Sequence, residues 1–244
     1  MSNVAKPLTI GTARAQPGHL AYGTLDAVSL PTGEADRFPI VIAQGHQDGP
    51  ILWLTAAIHG DEYTGLSVLH ALLSNELAAQ MRGTVVAVPT LNPAGLRSGE
   101  RSAYYLDGAD PNRLFPAPRN QGRHTHSNSA DAEPPSPLEL AYRRLFEFID
   151  TTADCLIDLH CASIESVPFA FRDPVYYFDD DGRDEAARLF QSVSEMMDAF
   201  GLTVVNEFIS KRYLKKNLHR SASGAALNTA RVPAFTAELG GCLA

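Results

Sequence analysis

Cysteine is scarce in this chain of 244 residues. The three present, Cys155, Cys161 and Cys242, cannot all pair, so they do not read as the framework of a disulfide-stabilised secreted fold. Basic residues are outnumbered: 20 Lys and Arg stand against 28 Asp and Glu, a formal net charge of −8. So acidic a surface repels a phosphate backbone instead of releasing its counterions, and no nucleic-acid partner is expected. Long apolar runs are missing as well. None approaches the ~18 residues that span a bilayer, so no membrane partner is expected either. The stretch MSNVAKPLTIGTARAQ contains no apolar segment of the kind that marks a secretory leader. The expectation is a cytoplasmic, acidic, globular protein. Hydrophobic residues at 45% and charged residues at 20% suffice for a folded core, and the length fits one large domain spanning 1–244.

Residues 1 to about 50 read as a β-rich segment, with Leu8–Ile10, Leu20–Tyr22 and Phe38–Ile42 as strands and PTGEAD (31–36) as a turn. From there the pattern changes. Ile51–Ile58 is a continuous apolar run, as in a strand covered on both faces, and it ends at His59-Gly60-Asp61-Glu62. Leu66, Leu69, His70, Leu72 and Leu73 follow at helical spacing, Gly83 is expected to stop that helix, and Thr84–Pro89 is the next strand. Leu138–Asp150 and Asp184–Phe200 read as helices leading into strands at Ala153–His160 and Leu202–Val205. A last helix, Ser221–Ala230, leads into a strand at Ala234–Glu238. Helices alternating with buried strands predict an α/β fold with a mixed, mostly parallel sheet flanked by helices. Pro116–Pro137, rich in Pro, Asn, Ser and His, reads as a surface loop.

His59 and Glu62, three apart where a buried strand turns into a helix, can face one point in space, and imidazole nitrogen with carboxylate oxygen suits Zn²⁺. The same carboxylates would also favour the positive end of the helix dipole, with no metal at all. A catalytic zinc needs a third protein ligand and an open position. His160, closing the strand ADCLIDLH, is favoured, because ligands gather at the carboxyl ends of strands in open α/β sheets. The competitors are His46, His70, His124, His126, His219 and the Cys161 thiol; His70 reads as packed on the apolar side of its helix, and Cys161 as a packed small residue. Asn112 and Arg113 offer amide and guanidinium donors to a carboxylate, although Asn92-Pro93 and Asp107-Gly108 are also ordinary turn dipeptides. Glu238, at the end of an apolar strand and before Gly240-Gly241, is placed like a general base.

H-x-x-E after a strand, N-P-x-G, R…D-G-x-D-x-N-R-x-F-P, D-L-H and E-L-G-G, in that order from residue 59 to 241, resemble the succinylglutamate desuccinylase and aspartoacylase family, which shares the zinc carboxypeptidase fold. The resemblance implies one Zn²⁺ per chain on His59, Glu62 and His160. It implies Asn112 and Arg113 as the pair holding the substrate carboxylate, and Arg101, or Arg97 if the spacing slips, as the arginine polarising the scissile carbonyl. Asp110 matches the acid that orients the first zinc histidine, and Glu238 the catalytic glutamate. Pro111 stands where that family usually has Leu, which stiffens the loop without removing a donor. The chain ends six residues after Glu238, where family members continue into a helix and a C-terminal β-rich domain.

The implied activity is metal-assisted hydrolysis of the amide of an N-acyl amino acid or related small acylated amine bearing a carboxylate. A zinc carboxypeptidase acting on peptides and a truncated, inactive zinc-binding homologue are the alternatives. Substrate contacts within 205–224, where Tyr213, Lys215, Lys216 and Arg220 lie, are not selected by any spacing. Exposed strand edges leave room for a homo-oligomer.

Overall fold

The computed structural model describes residues 5–117, 134–177 and 180–241. His124, His126, Cys242 and most of the Pro116–Pro137 stretch lie outside the described residues. Ten strands are described: β1 Thr9–Ile10, β2 Ala13–Arg14, β3 His19–Ser29, β4 Ala35–Gln44, β5 Gln47–Ala56, β6 Arg82–Val88, β7 Cys155–Ala162, β8 Phe169–Arg172, β9 Thr203–Asn206 and β10 Ala234–Gly241. The helices are α1 Thr64–Leu72, α2 Asn75–Gln80, α3 Pro93–Ser98, α4 Pro137–Thr152, α5 Asp180–Phe200, α6 Ser210–Lys215 and α7 Ala222–Asn228.

β1 and β2 form a small antiparallel ladder, and the other eight strands form one sheet in the order β3-β4-β6-β5-β7-β10-β8-β9. β6, β5, β7 and β10 run parallel to their neighbours within that group, as β8 does to β9, while β3–β4, β4–β6 and β10–β8 pair antiparallel. The mixed, mostly parallel sheet flanked by helices is the architecture that the alternation of apolar runs predicts. Its centre is apolar on both faces: Trp53, Val86, Leu156 and Phe235, one from each of the four central strands, are fully buried. Tyr142 of α4 is sandwiched between Phe38 and Phe115 at centroid distances of 5.8 and 4.5 Å, and its hydroxyl donates to the Leu91 carbonyl. Among the described residues no helix is long and apolar enough to cross a membrane.

Three details depart from the pattern in the sequence. The helix after residue 62 is two helices, because Ser74 turns extended and its hydroxyl caps α2 by accepting from Leu77. His70 is exposed, not packed; Gly65 and Leu69 are the residues α1 buries. Gly83 does not stop a helix. It sits within β6 at φ 87°, where a side chain would collide with the Pro50 carbonyl on β5.

Candidate metal centre

Three parallel strands, β5, β7 and β10, end on the same side of the sheet, and the chemistry is carried at their carboxyl ends. β5 leaves the sheet through Ala57, a non-glycine residue at φ 44°. That unfavourable backbone is held because the Ala56 carbonyl accepts from Leu91 at 3.0 Å and the Ala57 carbonyl from Thr90 Oγ1 at 3.2 Å. The chain is thereby swung to present His59. At Gly60 a Cβ would run into the backbone of Gly95, so only glycine lets this loop close on α3. The contact is fastened by the Gly60 amide donating to the Arg101 carbonyl at 3.2 Å, which brings the Arg101 segment over Glu62.

His59, Glu62 and His160 are buried, and each offers a ligand atom within 4.8 Å of the other two. The imidazoles approach Glu62 in the same way. Nδ1 of His59 lies 2.6 Å from Oε1, and Nδ1 of His160 lies 2.9 Å from Oε2. Each ring is backed on its far side by a carboxylate: Asp110 Oδ1 is 3.1 Å from His59 Nε2, and Asp158 Oδ2 is 2.8 Å from His160 Nε2. The Cys161 amide donates to Glu62 Oε2 at 3.2 Å and Arg101 Nη1 to Oε1 at 3.3 Å. Two imidazole nitrogens and a carboxylate oxygen are the donor set that Zn²⁺ takes in catalytic sites, and carboxylates behind the rings are its usual outer support. The residues fit the ion.

Electrostatics point the same way. Burial alone would raise the Glu62 carboxyl, but hydrogen bonds from His160 and His59 outweigh it and hold the group well below the ordinary range. Burial likewise opposes the negative charge of Asp110, and the His59 hydrogen bond with the Arg113 charge overturns it. For His160 burial disfavours the cation, yet Asp158 and then Glu62 raise the ring well above its usual value. A field that favours positive charge on buried imidazole also favours a divalent cation there. Glu238 is pushed the other way: burial raises its carboxyl, His160 opposes, and Glu62 and Asp158 add to the rise.

His59, Glu62, Arg101, Asn112, Arg113, His160 and Glu238 all line one cavity of about 440 Å³. Glu238 stands beside His160 in the β10–β7 register, with a buried Oε2 that has no hydrogen-bond partner among the described residues. Arg97 is set aside, since it pairs with the buried Asp36, away from the cavity. Asn112 Oδ1 is already engaged, accepting from the Ala222 amide at 2.9 Å, so only its Nδ2, 3.4 Å from His160 Nε2, faces the histidines. Arg113 turns its guanidinium toward Asp110, 3.5 Å away. His46 precedes β5, at the opposite end of that strand from His59, and neither it nor His219 lines the cavity. Asp158 escaped sequence reasoning. Its signal was the D-L-H spacing itself, which puts Asp158 and His160 on one face of β7. Phe171, Asp173, Glu207 and Lys216 also line the cavity, from segments without a motif.

A family model for the succinylglutamate desuccinylase/aspartoacylase catalytic domain matches residues 48–244. The N-alpha-acetyl-L-2,4-diaminobutyric acid deacetylase of Halomonas elongata is 35% identical over 82 residues, which are 34% of this chain and 23% of that protein. The crystal structure of a succinylglutamate desuccinylase/aspartoacylase from Rhodobacter sphaeroides superposes with a TM-score of 0.61 at 22% identity, covering 91% of this chain and 58% of that one. A metallo-carboxypeptidase from Burkholderia cenocepacia gives 0.54 at 18% identity, over 90% of this chain and 55% of that one. The carboxypeptidase-like fold is thus shared with both structures, and this chain spans little more than half the length of either. With a family model running through the strand, loop and glutamate that build the centre, the chain belongs to the succinylglutamate desuccinylase/aspartoacylase family.

Proposed function

We propose that this chain carries the catalytic centre of a zinc-dependent deacylase that hydrolyses the amide of a small N-acyl amino acid. The observation that carries the reading is the convergence of His59 Nδ1 and His160 Nδ1 on Glu62, with Asp110 and Asp158 behind the rings, in the cavity that also exposes Glu238. With Nε2–H donated to those aspartates, both Nδ1 lone pairs and Glu62 are free to hold one Zn²⁺. Bound there, the ion supplies Lewis acidity, polarising a carbonyl and lowering the pKa of water from about 15.7 to roughly 7.

The protein's own groups do the rest. Glu238, whose carboxyl is raised by burial, takes a proton from the attacking water and returns it to the amine nitrogen as the C–N bond breaks, leaving a free carboxylic acid and an amine. Arg101, half exposed at the cavity and adjacent to Glu62, is placed to stabilise charge developing on the carbonyl oxygen. Arg113 and the Asn112 Nδ2 group orient the substrate's carboxylate.

The test is hydrolysis of Nα-acetyl amino acids beside C-terminal dipeptides, by wild type and Glu238→Gln, with zinc and after chelation. The expected result is zinc-dependent release of acetate, little dipeptide cleavage, and a loss of at least about 100-fold in kcat for Glu238→Gln at unchanged zinc content. Cleavage of dipeptides alone would move the protein to the carboxypeptidases. Full zinc content with no hydrolysis of any acyl amino acid would leave a metal-binding homologue.

A further inference from the structure

The loop that carries Arg101, residues 99–110, has little of its own to hold it in place. Apart from one 3₁₀ turn at Tyr104–Leu106 it is irregular, and of its apolar residues only Ala103 and Leu106 are buried. A segment of this kind belongs to the low-stability end of a fold and opens easily unless it is tied down. Its middle is fastened at the Arg101 carbonyl, which accepts from the Gly60 amide and from Asn92 Nδ2. Its flanks are fastened elsewhere, by a residue that no motif marks. Asp36, the second residue of β4, is only 2% exposed. β4 runs antiparallel to β6, so it begins at the end of the sheet where β5, β6 and β7 finish. There Asp36 Oδ1 accepts from Arg97 Nη2, and Oδ2 accepts from the Tyr105 hydroxyl at 3.1 Å. Arg97 and Tyr105 stand four residues to either side of Arg101. A carboxylate so deeply buried is costly without partners, and among the described residues these two are its side-chain partners. Burial and then the Asp36 charge raise the Tyr105 phenol above its usual value, so it keeps the proton it donates.

We propose that Asp36 is a positioning residue for Arg101: one carboxylate grips both flanks of the loop, through Arg97 and Tyr105, and so fixes where the guanidinium enters the cavity. This rests on the role given to Arg101 in the deacylase reading above. Asp36 itself does not line the cavity, so it acts on the site only through the loop. With either leg lost, Arg101 stays attached by its carbonyl but the chain on that side is free to shift. A displacement of about 1 Å at a reacting centre costs up to roughly 100-fold in rate.

The test uses Asp36→Asn and Tyr105→Phe, each alone and combined with Arg101→Ala, in the zinc-loaded protein with an Nα-acetyl amino acid as substrate. Alone, Asp36→Asn is expected to lower kcat about tenfold and Tyr105→Phe about threefold, with KM little changed, because Arg101 acts on charge that develops in the transition state. In the Arg101→Ala background each is expected to change kcat by less than about twofold, since effects that pass through one residue are not additive. Zinc affinity is expected to stay at the wild-type value; a fall would place the effect at the metal centre and overturn the assignment. Hydrogen exchange gives a readout that needs no turnover. The amides of Glu100 and Leu106, bonded to the Gly95 and Ala103 carbonyls, are expected to exchange at least about fivefold faster in both variants, with α4 unchanged. Should Asp36→Asn fail to fold, Tyr105→Phe carries the same comparison. Slowing of equal size with and without Arg101, or unchanged exchange in the loop, would overturn the clamp and keep the deacylase. Faster exchange in the loop of a protein that hydrolyses no acyl amino acid would sink the deacylase reading and keep the clamp. Neither hydrolysis nor faster exchange overturns both.

Discussion

The proposed ligand role of His160 turns on a single buried group, Asp158. It is fully buried on β7, accepts from Thr55 Oγ1 at 2.6 Å through one oxygen and meets His160 Nε2 through the other. Asp158→Asn keeps the volume and the Thr55 hydrogen bond but sets an amide donor against Nε2. The ring then prefers the tautomer with its proton on Nδ1, the atom needed for the metal. Zinc affinity, measured by competition with a chromogenic chelator, is expected to fall about 10–100-fold. Asp110→Asn acts on His59 in the same way but less strongly, since Asp110 is part-exposed and also accepts from the Asn112 amide at 2.8 Å. Wild-type affinity in Asp158→Asn would refute a supporting role for that carboxylate.

Elements place these residues by how they begin and end. Asn92 caps α3, its Oδ1 accepting from Gly95 at 2.9 Å, while its Nδ2 donates to the Arg101 carbonyl at 3.2 Å. The fully buried side chain thus ties a helix start to the loop that carries Arg101. Asn92→Ala is expected to cost about 2 kcal/mol in urea unfolding, from the lost cap, which strands the buried Gly95 amide, and the lost tie to the Arg101 carbonyl, and to lower kcat/KM as well. Ser136→Ala at the cap of α4, remote from the cavity, should cost about 1 kcal/mol and leave turnover alone. Equal effects on turnover would show that α3 does not position the Arg101 segment. The same elements show what was legible in the sequence. Continuous apolar runs announced β5, β6, β7 and β10, and amphipathic spacing announced α4 and α5, because burial on two faces and on one face leave different periods. The four-residue strand β8 and the six-residue helix α6 are too short to carry a period, and their segments supply the cavity walls near Asp173 and Lys216. α3 was hidden by Asn92-Pro93, a turn dipeptide that here caps a helix with Pro in its first turn.

At the scale of the molecule, the sheet order does what proximity in sequence cannot. Residues 59, 160 and 238 become neighbours because β5, β7 and β10 are adjacent parallel strands ending on one side. His59, Glu62, His160 and Glu238 could be chosen from the sequence because each sits at such an end. Asp173 and Glu207 could not, since only the antiparallel return of β8 beside β10, and β9 beyond it, brings them to the cavity. The fold also concentrates acid around the centre, with Glu62, Asp110, Asp158 and Glu238 within reach of two histidines, and a divalent cation is the economical way to balance that charge. The most direct measurement is anomalous diffraction at the zinc edge from crystals of the zinc-loaded protein. The account predicts a single peak per chain in contact with His59 Nδ1, Glu62 and His160 Nδ1, and its loss in His160→Ala. A peak held by other residues, or none at saturating zinc, would contradict it.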